Sequence, residues 1–146
     1  MGNVGAVEEC DRVAAHPFDS QKPANIKGVP FSELKANATI AIRACSEAAK
    51  RAPENARMAF LLARSYDASG DKAQAYRWME KAALAQHVIA KYILADMLRN
   101  RNYTKPDFDR AKRLFSEFNF DVEYTSIHPD IVKNSEKIYA TPLPSS

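Results

Sequence analysis

Glycine is scarce in this chain, with four residues among 146. That scarcity excludes a Gly-rich loop able to cradle a phosphate. No window reaches the roughly 18 to 20 uninterrupted apolar residues that a membrane span needs, and Met1 to Glu9 has neither the basic start nor the apolar centre of a signal peptide. The compartment stays open: periplasmic or secreted if an export signal was removed, cytoplasmic otherwise. Histidine is equally sparse. His16 and His128 each precede a proline, His87 falls in a turn between two helical stretches, and none has a Cys, Asp or Glu at ligand spacing on a shared face. No metal site is expected. No Ser or Cys stands in a nucleophile motif, and the acid pairs Glu8-Glu9 and Asp107/Asp109 are explained by solvation or by a helix dipole. Neither catalytic residues nor a cofactor is expected, which argues against an enzyme. Cys10 and Cys45 are the only cysteines; an even count permits one disulfide without requiring it, and two buried thiols acting as small apolar side chains account for them equally well.

What the chain does have is helical periodicity and an uneven charge. From Lys35 to Arg113 there are sixteen Lys and Arg against eight Asp and Glu, whereas the remainder is acidic, so the net +3 conceals a basic centre. Such a centre suits acidic partners. No aromatic and basic interleaving of a nucleic-acid module accompanies it, which disfavours nucleic acid, and long basic side chains also serve as solvated helix faces.

The length suits one domain. Val4 to Ala15 places Val4, Val7, Cys10, Val13 and Ala14 at helical spacing and predicts a short helix ending before Pro17. His16 to Pro30 has three prolines and no periodicity, so an extended wrap over the next element is expected, completing a leader segment at residues 4–36. Helices follow at Asn37 to Arg51, with Asn37 as cap, and at Asn55 to Ser69, closed by Gly70. Three more are predicted at Asp71 to Gln86, Val88 to Arg99 and Asp107 to Phe118. Their apolar faces are rich in alanine, which favours close helix approach. Phe118, Phe120, Val122 and Tyr124 then alternate with polar residues, and an extended segment lying on the last helix pair is expected. A terminal helix starting at Pro129 and a frayed tail at 141–146 complete the reading.

Self-comparison shows a repeat. A shift of thirty-four residues superposes Ala41 on Ala75, Arg43 on Arg77, Ala48 on Ala82, Ala49 on Ala83 and Ala56 on Ala90. Phe60 to Ala63 matches Tyr92 to Ala95 at thirty-two, and Ala75 to Trp78 matches Ala111 to Leu114 at thirty-six, so loops vary while helices keep register. These residues resemble Sel-one-like repeats, relatives of the tetratricopeptide repeat. Ala75-Tyr76-Arg77-Trp78-Met79-Glu80-Lys81-Ala82-Ala83 is similar to that family's second-helix signature, with Met79 in place of the second aromatic. Ala90-Lys91-Tyr92-Ile93-Leu94-Ala95-Asp96-Met97 resembles its first-helix signature, with Ala95 where glycine is usual. Asn100 to Ala111 resembles its longer inter-helix loop without the loop glycines. Cys10 to Asp19, Gly28-Val29-Pro30-Phe31 and Ala41 to Cys45 are more loosely similar to bacterial repeat proteins with a Cys-containing leader.

The resemblance implies an all-α fold: a short right-handed α-solenoid of antiparallel helix pairs, about two and a half repeats over 37–118, with capping helices at both ends. It implies that Cys10 and Cys45 form a disulfide pinning the leader to the first repeat helix, with two reduced thiols as the alternative. It places Arg57, Phe60, Arg64 and Asp67 on a concave face, continued by Ile89, Tyr92, Asp96 and Arg99, while Trp78 is assigned to packing. Such a groove suits an acidic or aromatic peptide, although Phe60 and Tyr92 could equally be covered by the leader or by the 118–127 segment. The functional expectation is a non-enzymatic adaptor that binds a peptide or protein. The alternative is an inhibitor or immunity-type protein, or an assembly subunit, covering an acidic surface of a partner enzyme.

Overall fold

The computed structural model describes residues 2–117, and every regular element among them is a helix. They are α1 (Asn3–Ala14), α2 (Phe31–Ala36), α3 (Ala38–Arg51), α4 (Ala56–Ser69), α5 (Lys72–Leu84), α6 (Val88–Met97) and α7 (Phe108–Ser116). The expected extended segment from Phe118 and the helix from Pro129 lie outside the described residues. No helix among the described residues is long and apolar enough to cross a membrane.

From α3 onward each helix packs on the next, and α1 lies against both α3 and α4. Alanine makes these approaches close: Ala41 and Ala48 of α3, Ala63 of α4, Ala75 and Ala82 of α5, and Ala90 and Ala95 of α6 are all fully buried. α4 is the centre. Nine of its residues are buried, because α1, α2, α3 and α5 all pack against it.

The helix starts follow from their capping residues. Asn55 accepts a hydrogen bond from the Arg57 N–H, Asp71 from Gln74 and Asp107 from Arg110, each satisfying a donor that the first turn leaves unpaired. Asn37 differs from its expected role. It precedes α3, but its side chain donates to the Glu33 carbonyl of α2 instead of capping α3. The unexpected α2 is a six-residue helix that follows Pro30 and buries Leu34, too short to show a period in the sequence.

Residues 15–30 form a wrap without regular structure, closed by the Val29 N–H donating to the Ala15 carbonyl at 2.7 Å. Gly28 makes this closure possible. Its φ is +88°, and a Cβ there would stand 2.4 Å from Pro17 Cα. Gly70 ends α4 with the same φ, but a Cβ there would meet nothing within 4 Å.

These two glycines make a controlled comparison. Gly70→Ala is expected to cost about 1 to 2 kcal/mol, the left-handed penalty alone. Gly28→Ala must also displace backbone and should cost clearly more. Thermal unfolding of the two variants checks this, and equal losses would refute the close approach.

Candidate interaction site

The expected concave face is built mainly by α4, whose residues Arg57, Phe60 and Arg64 recur every three to four positions and so share one side. The structure places this side under the N-terminal segment rather than in solvent. Phe60 is fully buried and Arg64 is 6% exposed, so neither is available on an open groove. The reason is electrostatic as well as apolar. Arg57 is ion-paired with the buried carboxylate of Asp11 on α1. Among the described residues Arg64 has no carboxylate partner; its guanidinium donates to the main-chain carbonyls of Ala14 at 2.8 Å, Ala15 at 3.5 Å and Val29 at 2.6 Å. Loss of hydration pulls its pKa down to about 10, which still leaves it charged at neutral pH.

His87, at the start of α6, supplies the third polar hold. Its Nδ1 accepts the Ala90 N–H at 3.2 Å, so the ring proton sits on Nε2, which donates to Asp19 Oδ2 at 2.9 Å. Both residues are buried. The ring stacks on Phe60 with centroids 4.2 Å apart, and His16 approaches the other partner of that stack, lying 6.1 Å from Phe60. Burial works to raise the Asp19 pKa, but the hydrogen bond from His87, the Gln21 N–H and the nearby His16 together hold it below the usual carboxylate range. Asp11 goes the other way: burial raises it and outweighs the pull of Arg57.

The remainder of the expected face is mixed, and only its far end, Asp96 and Arg99, is exposed. Asp67 accepts the Tyr103 hydroxyl at 2.7 Å and lies 3.7 Å from Lys72 Nζ, so it ties α4 to the loop after α6. Ile89 is buried, and Tyr92 is half-buried with its ring edge-on to Phe115, 5.5 Å between centroids. Asp96 and Arg99 are exposed and line an open cleft of about 470 Å³ together with Asn100, Arg101, Pro106 and Phe108. Trp78 is half-buried against the core with Lys81 over its ring at 4.9 Å.

Cys10 and Cys45 are disulfide-bonded, joining α1 to α3. Among the described residues no group of three or more His, Cys, Asp or Glu could hold a metal ion. No sequence signal marks the Asp19–His87 pair, which spans 68 residues. The one local signal was the position of His87 three residues before Ala90, where a side-chain acceptor caps a helix. No family model matches the sequence, and no curated protein matches it.

His87→Ala removes a cap and strands a buried carboxylate, an expected loss of about 2 to 4 kcal/mol in denaturant unfolding; a loss under 1 kcal/mol would show that the pair is incidental. The two buried acids should also shape the pH dependence in opposite senses. Asp19 has a folded pKa below its unfolded one, so its contribution is present above the carboxylate range and is lost as pH falls through the folded value. Asp11 has a folded pKa above its unfolded one, so its ionisation opposes folding and protonation relieves that cost. Asp19→Asn should therefore flatten the acid limb of a stability curve measured between roughly pH 3 and 7, and Asp11→Asn should steepen it.

Proposed function

We propose that this chain is a non-enzymatic protein-interaction module, a short solenoid of tetratricopeptide-like helix pairs that takes an acidic segment of a partner at the open end of its repeat face. Support for the solenoid comes from successive helices packing on one another and from the burial of the repeated alanines Ala41, Ala48, Ala75 and Ala82. One observation carries the binding reading: the cleft of about 470 Å³ between α6 and the start of α7. Arg99 and Arg101 line it and make no ion pair among the described residues, while Pro106 and Phe108 give it an apolar wall. Two solvated guanidiniums beside an aromatic suit a carboxylate-bearing peptide with one aromatic or aliphatic anchor.

The test is fluorescence polarisation with a set of labelled acidic peptides, each carrying a single aromatic residue. Arg99→Glu/Arg101→Glu should weaken the best binder at least tenfold, a change of about 1.4 kcal/mol, with an unchanged helical circular dichroism spectrum. Binding should also weaken with added salt. Equal affinity for wild type and the double variant would sink the proposal.

A further inference from the structure

The N-terminal segment is held the way a ligand is held. Three donors reach it from helices 35 to 68 residues further along the chain: Arg57 to the Asp11 carboxylate, Arg64 to the carbonyls of Ala14, Ala15 and Val29, and His87 to the Asp19 carboxylate. Among the described residues Arg64 reads main chain alone, so its contacts select no side chain. Arg57 and His87 read acids on either side of that backbone. The required ligand is therefore a chain segment with two carboxylates flanking exposed carbonyls, and nothing in the contacts demands that it be this chain's own. A vacated face would open Arg57, Arg64 and His87 to water, forfeiting their protein acceptors and exposing the ring of Phe60. Exchange of one acidic segment for another satisfies the same donors.

The disulfide decides whether exchange is open. Cys10 lies one residue from Asp11, and its bond to Cys45 fixes the segment to α3. A dithiol reductant opens it by exchange: one thiolate attacks a cysteine sulfur and expels the other cysteine as a thiolate. The reductant's second thiol then displaces the first cysteine, forming the reductant's own disulfide and leaving Cys10 and Cys45 as thiols. Two electrons and two protons pass to the protein. Both cysteines are fully buried, so this requires α1 to lift locally.

We propose that the α4–α6 face beneath the N-terminal segment is a binding site for acidic chain segments, filled in cis by residues 8–29, and that the Cys10–Cys45 bond excludes outside segments from it. The site is separate from the cleft at Arg99 and Arg101, so either reading can fail without the other.

Disulfide capture tests it in the full chain. Cys10→Ala leaves Cys45 as the only thiol, beneath the segment. The probe is a synthetic peptide copying residues 5–21, with its cysteine intact, offered at millimolar concentration because the chain's own segment remains tethered and competes. Glutathione disulfide is the oxidant: it takes two electrons from the peptide thiol and Cys45 and leaves as two glutathione thiols. The expected result is a one-to-one adduct at Cys45 by mass spectrometry, at least tenfold more abundant than with a scrambled peptide or with one carrying Asp11→Asn and Asp19→Asn. Fluorescence polarisation of a cysteine-free version of the peptide provides a second measurement, with binding expected to the wild-type chain under a dithiol and none to the oxidised chain. Capture no better than the scrambled peptide together with no polarisation change overturns the proposal. So does a shift of Cys10→Ala to a dimer that refuses the peptide, because the site would then belong to the segment of a second copy.

Discussion

A guanidinium withdrawn from water and given no carboxylate must be surrounded by oxygen from somewhere, and at Arg64 the oxygen is main chain. Much of the N-terminal architecture follows from that need. The carbonyls of Ala14 and Ala15 stand at the C-terminal end of α1, where the helix leaves its last carbonyls unpaired and partly negative, so the cation and the helix end satisfy each other. Val29 reaches the same guanidinium only because the wrap turns back tightly enough for its N–H to bond the Ala15 carbonyl. That return brings Gly28 against Pro17, a distance no side chain would permit. A charge on α4 thus constrains a glycine on the far side of the wrap.

The helices were legible because their signals are local. Apolar spacing and Gly70 as a left-handed stop act within a turn or two, and the boundaries differ from those expected by no more than about two residues. The small residues were legible too, since alanine repeated at one face has few other uses. The failures are of two kinds. α2 is shorter than two helical turns, so no period could reveal it, and Asn37 satisfies the carbonyl behind it rather than the amide ahead. The long-range holds leave no local trace at all: Asp11 with Arg57 and Asp19 with His87 are separated by 46 and 68 residues.

The candidate face was only half readable for a related reason. Phe60 and Arg64, one turn apart on α4, mark a side that is not a simple solvated surface, but an open groove and a covered one have the same composition. The acids that decide between them, Asp11 and Asp19, lie in a helix and a wrap that the sequence does reveal, but their partners stand 46 and 68 residues away and nothing local marks the pairing. At the other end, Asp96 and Arg99 stay in solvent. One face therefore carries basic groups in two environments, the first supplied with acceptors within the molecule and the second still hydrated.

The order of residues along the chain gives the covering segment a kinetic character of its own. Contacts between successive helices from α3 to α7 join near neighbours in sequence and close short loops, whereas docking of α1 and the wrap closes loops of 35 to 68 residues. The entropic cost of those closures falls on the covering segment rather than on the helix pairs it covers. Residues 3–29 are synthesised before every group that holds them. The face that receives them is built from α3 to α6, all of it later in the chain.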